Sequence, residues 1–267
     1  MSDRARRLLP LLIGVALLLP AAVPTVVSAS ATQDSAEAMM LKKMNYERTK
    51  RGLVALRLDR RIAAIARDRS EYQARTGDAD HTQGSNKVFD FIQSAGIKWY
   101  SAGEIIAQNR YYPSIEDSAA AAIKGWLGSS THRSILLSKG YNYVGFGYAM
   151  NEGNQRRYWT GVYLKGPDRT APVAEIVGVS KRSAGGGYIA IKIRWDGADR
   201  RLQVLTSGLR YFQVQRRAVG GTWKSWSYTT RRDKTVRYYP GKDREFRIRS
   251  RDKAGNWSNW DVVRVNL

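Results

Sequence analysis

From residue 36 onward the apolar positions recur with two different periods, and the change of period divides the chain. Met40, Leu41 and Met44 return at the spacing of one helix face, with Asp34 and Glu37 ahead of them in the form of a capping box, so a first helix is expected through Lys50, stopping at Gly52. Asp59 is placed to cap a second helix. There Ile62, Ile65, Ala66, Arg69 and Tyr72 recur at three and four, making one stripe with an arginine-rich opposite face. Ser114 with Asp117 three residues on opens another helix, through Ala121 and Ile123 to Trp126. Val144–Ala149 and Tyr158–Leu164 then alternate as strands, and the turn-rich Asn151-Glu152-Gly153-Asn154 between them predicts a hairpin.

Gly166-Pro167-Asp168-Arg169-Thr170-Ala171-Pro172, two prolines bracketing polar residues, marks the boundary between two domains, 36–166 and 172–267. Beyond it no helical period is visible. Ile189–Trp195, Tyr211–Arg216, Phe246–Ser250 and Val262–Val265 alternate with a period near two, separated by glycine clusters such as Gly185-Gly186-Gly187 and Gly220-Gly221. The expected fold class is α+β: a mixed helix–strand domain followed by an all-β sandwich whose arginines lie outside.

The start of the chain reads differently again. Arg4, Arg6 and Arg7 precede an uncharged stretch from Leu8 to Ala29 that ends in small residues, the layout of a secretory leader over residues 1–31. The stretch is long enough to anchor in a bilayer, but Pro10, Pro20 and Pro24 and the small-residue end favour removal near Ala29 or Ala31. A secreted or cell-wall-associated protein is therefore expected.

Composition narrows the chemistry. The 267 residues contain no cysteine, which excludes disulfides, thiolate metal sites, iron–sulfur clusters and a cysteine nucleophile. With 45 Lys+Arg against 23 Asp+Glu the chain is strongly basic: residues 36–166 hold 20 basic and 12 acidic side chains, residues 172–267 hold 21 and 8. Inside a cell that balance points to nucleic acid; outside it, anionic lipid headgroups and wall polymers are the commoner polyanions, and no nucleic-acid partner is expected. A soluble basic surface with no partner explains the charge equally well.

Both histidines lie in the first domain, in Asp80-His81-Thr82 and Ser130-Thr131-His132-Arg133. Order and context give them weight. Met40 through Arg48, followed by Gly52-Leu53 and Leu56-Arg57-Leu58-Asp59, resembles the opening of bacterial members of the CAP superfamily, relatives of the cysteine-rich secretory, antigen 5 and pathogenesis-related proteins. Asp80-His81-Thr82 is similar to that family's Ser-His-Thr element, Gly103-Glu104-Ile105 to its Gly-Glu-Asn, Trp126 through His132-Arg133 to its Trp…Gly-His-Arg, and Val144-Gly145-Phe146-Gly147 to the strand that follows. The resemblance runs from about residue 36 to 165. It implies an α–β–α sandwich with a cleft where two histidines and two acids converge, a set able to hold a divalent metal such as zinc. His81, Glu104 and His132 fill three of those places and Ser129 stands where the second acid is expected, leaving a triad of two imidazoles and one carboxylate that still permits an open zinc site. Glu116 and Asp117 are the nearest acids on the same predicted helix, but helical spacing does not put them on the face of Ser129. Ile105, Thr131 and Ile135 also depart from the family's residues, which alters the cleft. If there is a catalytic residue, it is Glu104; Ser101, Ser129, Ser130 and Ser134 lie near these elements without any Gly-x-Ser-x-Gly nucleophile elbow.

In the second domain, Phe246 through Ser258 resembles the last two strands and connecting turn of bacterial fibronectin type III-like or immunoglobulin-like repeats. Such modules space or bind. Trp195, Trp223, Trp226, Trp257 and Trp260 admit a sugar-stacking platform, but a sandwich core also consumes tryptophan and is favoured here. Together these readings lead to a secreted, monomeric, non-catalytic binding protein with a His/Glu cleft, a basic β-domain for attachment, and a lipid or an anionic envelope polymer as ligand. The alternative is a zinc-dependent hydrolase built on His81, His132 and Glu104.

Overall fold

The computed structural model of the chain describes residues 29–267. The expected leader, as far as residue 28, lies outside the described residues. Helix α1 (Ala29–Thr49) begins earlier than the capping-box reading places it. Asp34 and Glu37 share one helix face and serve a cation instead of a cap: Glu37 accepts from Arg67 Nε at 2.8 Å and Nη2 at 2.6 Å, and Asp34 pairs with the same Nη2. After the short strand β1 (Arg57–Leu58), helix α2 (Arg60–Thr76) is capped by Asp59, whose carboxylate accepts from the Arg61 N–H at 3.0 Å, and is closed by Gly77 in the left-handed conformation at φ 79°. Its buried stripe is Ile62, Ala66, Arg69, Ser70, Gln73 and Ala74.

A small ribbon of β2 (Thr82–Gln83) and β3 (Asn86–Lys87) leads to α3 (Val88–Ser94), then β4 (Ser101–Arg110), α4 (Ile115–Gly128), α5 (Ser130–Leu136), β5 (Tyr143–Asn151) and β6 (Arg156–Lys165). Ser114 caps α4 through the Asp117 N–H at 3.0 Å. The central sheet runs β1-β5-β6-β4, with β5 and β6 as the expected hairpin and β4 antiparallel to β6 from Ser101 opposite Lys165 to Arg110 opposite Arg156.

Helices cover both faces of this sheet. On one, Met40 and Met44 of α1 and Ala119, Ile123 and Trp126 of α4 pack on Val144, Phe146, Tyr148, Trp159 and Tyr163. On the other, Ile62 and Ala66 of α2 and Val88 and Ile92 of α3 pack on Tyr143, Val162 and Leu164. The run Val144-Gly145-Phe146-Gly147 explains the asymmetry: strand alternation sends its large residues toward α1 and α4 and its glycines toward α2. A Cβ at Gly145 or Gly147 would overlap the α2 backbone at Ala63 or Ala66, so the bare face lets α2 lie directly on the sheet.

The second domain comprises β7 (Val173–Ser183), β8 (Ile189–Ala198), β9 (Leu209–Ala218), β10 (Lys224–Thr229), β11 (Asp233–Tyr238), β12 (Arg244–Asp252) and β13 (Asp261–Val265). They form two antiparallel sheets, β11-β8-β7 and β10-β9-β12-β13. Ile191, Ile193, Trp195, Phe212, Val214, Phe246 and Ile248 fill the space between them, which makes the all-β sandwich. Of the five tryptophans weighed for core or platform, Trp195 is fully in the core and Trp226 packs at its edge, while Trp223, Trp257 and Trp260 stay on the outer face. The loop between β8 and β9 reaches back to the first domain: Leu202 joins the α2/α3 cluster, and Gln203 Oε1 accepts from the Val54 N–H at 2.8 Å.

Candidate functional site

Glu104 enters the site from β4, four residues into a strand whose register against β6 puts it opposite Val162. It is nearly buried, and the partner it meets there comes from the α2 stripe. Arg69 is fully buried; its Nε donates to Glu104 Oε1 at 2.8 Å and its Nη2 to Oε2 at 3.2 Å, with a further bond from Nη2 to the Asp80 carbonyl at 3.0 Å. This two-point contact between a planar fork and a carboxylate is the strong form of an ion pair. Its third nitrogen, Nη1, is buried without a partner among the described residues.

His81 lies on the loop that the Arg69–Asp80 bond ties to α2. Its Nδ1 is 2.7 Å from Glu104 Oε2, and the carboxylate selects the tautomer in which Nδ1–H donates and Nε2 faces outward. The imidazole is half exposed. Its pKa is raised, chiefly by the Glu104 hydrogen bond, against burial and the Arg69 charge, which lower it. His132 sits on α5, and its pKa is pushed down first by burial and then by the charge of His81, so the two imidazoles face one electrostatic environment but titrate apart. Ser129 is spoken for by local structure: it ends α4 and caps α5, with its hydroxyl accepting from the His132 N–H at 3.4 Å. Glu116 pairs with Lys43 at 2.7 Å and Asp117 closes the Ser114 cap, so neither supplies a second acid to the histidines.

The four residues singled out in the sequence thus fall into two groups. His81 and Glu104 touch; His132 lies near His81 without a hydrogen bond to either; Ser129 orients the turn that carries His132. A zinc ion does not fit this set. The one carboxylate is already neutralised by a fixed guanidinium, and the histidine and glutamate donor atoms do not gather: among the described residues the only three such side chains whose ligand atoms lie within 4.8 Å of one another are Asp168, Asp199 and Asp252, at the junction of the two domains. That acidic trio is held by backbone N–H groups of Thr170, Ser207, Gly208, Gly255 and Asn256. Arg69 is the site residue the sequence reading missed. Its signal was visible, since a charged residue within an otherwise apolar helical stripe must find a buried partner.

A concavity lies between α1 and α4. It encloses about 880 Å³, with Met39, Ile123 and Leu127 on its floor and Lys42, Lys50 and Lys124 at its rim. Among the described residues no helix is long and apolar enough to cross a membrane.

Comparison with known proteins agrees with this architecture. The model of the cysteine-rich secretory protein family, CAP, matches residues 41–163. The uncharacterized protein YkwD of Bacillus subtilis is 32% identical over 127 residues, 46% of this chain and 46% of that protein, and the uncharacterized membrane protein YlbC of the same organism is 31% identical over 136 residues, 50% of this chain and 35% of that one. The chain therefore spans less than half the length of these curated relatives. Among solved structures, an extracellular protein containing a SCP domain from Bacillus anthracis is similar at 21% identity and a TM-score of 0.43, over 51% of this chain and 42% of that chain. The family match covers α2, β4 and α5, which carry Arg69, Glu104 and His132, and the loop that carries His81, and the first domain of this chain belongs to the cysteine-rich secretory protein (CAP) family.

Proposed function

We propose that the chain is an extracellular binding protein in which the CAP domain presents the His81 edge of its cleft to a ligand and the basic, fibronectin type III-like second domain attaches it to an anionic surface. The observation that carries this reading is the Arg69–Glu104 pair. A buried guanidinium on both carboxylate oxygens turns the acid that a metal or a general-base mechanism would need into a structural ion, so what the cleft offers is the outward Nε2 of His81, a hydrogen-bonding group whose cationic form the Glu104 hydrogen bond favours. The strand order of the second domain, three strands facing four, supports the fibronectin-like reading, and its charge supports attachment.

Calorimetric titration of residues 32–267 with zinc above pH 7, beside a His81→Ala/His132→Ala double variant, tests the binding reading. No stoichiometric heat is expected; binding that the double variant abolishes would overturn it in favour of the metal-dependent hydrolase. Attachment is tested by co-sedimentation of the same chain with isolated cell envelopes, expected at low salt and lost at high salt. An amphiphile in the α1/α4 groove is a second reading, favoured by that groove's apolar floor and lysine rim.

A further inference from the structure

The outer face of the four-stranded sheet carries an alternating row of guanidiniums and indoles. Strand β12 points Phe246, Ile248 and Ser250 into the sandwich and Arg247, Arg249 and Arg251 outward. Arg217 lies 4.3 Å from the centre of the Trp223 ring and Arg247 4.4 Å from the same ring. Arg247 is also 4.2 Å from Trp260, which Arg249 approaches at 4.4 Å; Arg249 is 3.9 Å from Trp257, and Arg251 closes the row at 5.3 Å. Each indole is thus shared by two arginines, an arrangement that holds flexible cations at set positions.

Three of the four arginines in this row are not neutralised from within. Arg217 has Glu245 at 2.5 Å, but Arg247 donates through Nε and Nη2 to the neutral amide oxygen of Gln215, Arg249 through Nε to that of Gln213, and Arg251 to the Gly255 carbonyl and the Tyr211 hydroxyl. None of those three pairs with a carboxylate among the described residues. Their mutual repulsion is felt: burial first, and then the charges of Arg217 and Arg249, pull the Arg247 pKa down. Three like charges fixed on one strand, with partners that orient but do not neutralise them, form a surface complementary to a row of anions.

We propose that Arg247, Arg249 and Arg251 form the binding strip for a linear phosphodiester polymer with an acyclic polyol backbone, laid along β12. This inference rests on the reading of the second domain as the attachment module. Alternate residues of a strand recur about every 6.8 Å, and the three-carbon spacer of a polyol phosphate places successive phosphates at a comparable repeat. The indoles choose among polyanions. Sugars and bases gain from stacking on open aromatic faces, whereas these rings are already engaged by guanidiniums, so the strip rewards charge along a backbone and offers nothing to the ring of a uronate or a nucleobase. Membrane insertion would likewise need free aromatic edges. The planar fork of arginine, with its remaining Nη donors, suits phosphate oxygens.

The test uses residues 32–267 and poly(glycerol phosphate), followed by tryptophan fluorescence over a range of salt. An Arg247→Gln/Arg249→Gln/Arg251→Gln variant is expected to lose at least tenfold in affinity, with the slope of log K against log salt falling by about two, at roughly 0.7 per phosphate contact. A variant with the same charge loss on the opposite sheet, Arg182→Gln/Arg194→Gln/Arg237→Gln, is expected to stay within about twofold. Because the row also packs β12, an Arg247→Lys/Arg249→Lys/Arg251→Lys variant keeps the charge while removing the stacked forks; a several-fold loss at unchanged salt slope is expected. Equal losses in the two glutamine variants would overturn the strip and leave general attachment standing. Tighter binding to polygalacturonate, oligothymidylate or phosphatidylglycerol vesicles would overturn the choice of polymer. If the unmodified chain binds none of these polyanions, both the strip and the attachment reading fail.

Discussion

Removing the carboxylate of Glu104 puts the sharpest demand on the first domain. In Glu104→Gln, Arg69 keeps its charge and its burial but loses both ion-pair contacts, retaining only the Asp80 carbonyl on Nη2 and at best one amide oxygen. With the Arg69 side chain fully buried and that of Glu104 4% exposed, solvent cannot move in to compensate. Breaking one side of such a pair costs about 3–5 kcal/mol, a large share of the roughly 5–15 kcal/mol that holds a domain together. At about 4 °C per kcal/mol for a domain of this size, Tm should fall by about 12–20 °C. The Arg69→Met/Glu104→Gln double variant removes the stranded charge and should recover most of that loss, because a buried ion pair and a neutral replacement of similar shape differ little. The assay is a double-mutant cycle by urea denaturation, with the His81 titration followed by NMR in the same samples. In Glu104→Gln the His81 pKa should fall, since the hydrogen bond that raises it is lost. A cost under about 1 kcal/mol for Glu104→Gln, or a double variant no more stable than the single one, would refute the account of Arg69 as the cation that fills this site.

Three further outcomes follow from the same structure. Gly147→Ala should destabilise the first domain by about 3 kcal/mol or more, because the new methyl meets the α2 backbone at Ala66 and Arg67 and no rotamer relieves it; a loss below 1 kcal/mol in chemical denaturation would count against direct helix-on-sheet contact. Asp199→Asn should raise stability by about 1 kcal/mol: Asp199 Oδ1 is buried without a donor among the described residues, beside Asp168 and Asp252, burial and those charges raise its pKa, and an amide there keeps an oxygen for the Ser207 hydroxyl and the Gly208 N–H while offering its neighbours a donor. An unchanged or lower Tm would contradict this. His81, whose pKa is raised in the fold, contributes stability that is complete below its unfolded value near 6.5 and is lost as pH rises through the folded value; His132, whose pKa is lowered, contributes the opposite slope, losing stability as pH falls from the unfolded value toward the folded one. The pH dependence of Tm between 5 and 8 in His81→Ala and His132→Ala should change with opposite signs.

Much of the fold is legible in the chain because its rules are local. The Asp59 and Ser114 caps, the β5–β6 hairpin around Asn151–Asn154 and the period-two runs of β8, β9, β12 and β13 each depend on residues within a few positions of one another, and the structure has them where the pattern puts them. Strand β4 shows where the pattern stops: Ala102-Gly103-Glu104-Ile105-Ile106 sets a charged residue before two adjacent apolar ones and does not alternate, and the segment is a strand because β6 offers ten consecutive partners.

The site divides along the same line. His81, Glu104 and His132 stand out by residue type, order and neighbours, all properties of the chain alone. What they can do was decided by packing, because Asp34 and Glu37 turned from a cap to Arg67, Ser129 became a cap, and Arg69 came through the α2 stripe onto Glu104. The surface row of Arg247, Arg249 and Arg251 follows the same logic: alternation along β12 is written in the sequence, but the indoles that hold those charges arrive from Trp223 before β10 and from Trp257 and Trp260 after β12. Charge and period are carried by neighbours in sequence, whereas the partner of a buried charge is set by whichever element the fold lays against it, and that choice determines whether a carboxylate is a ligand or a counterion.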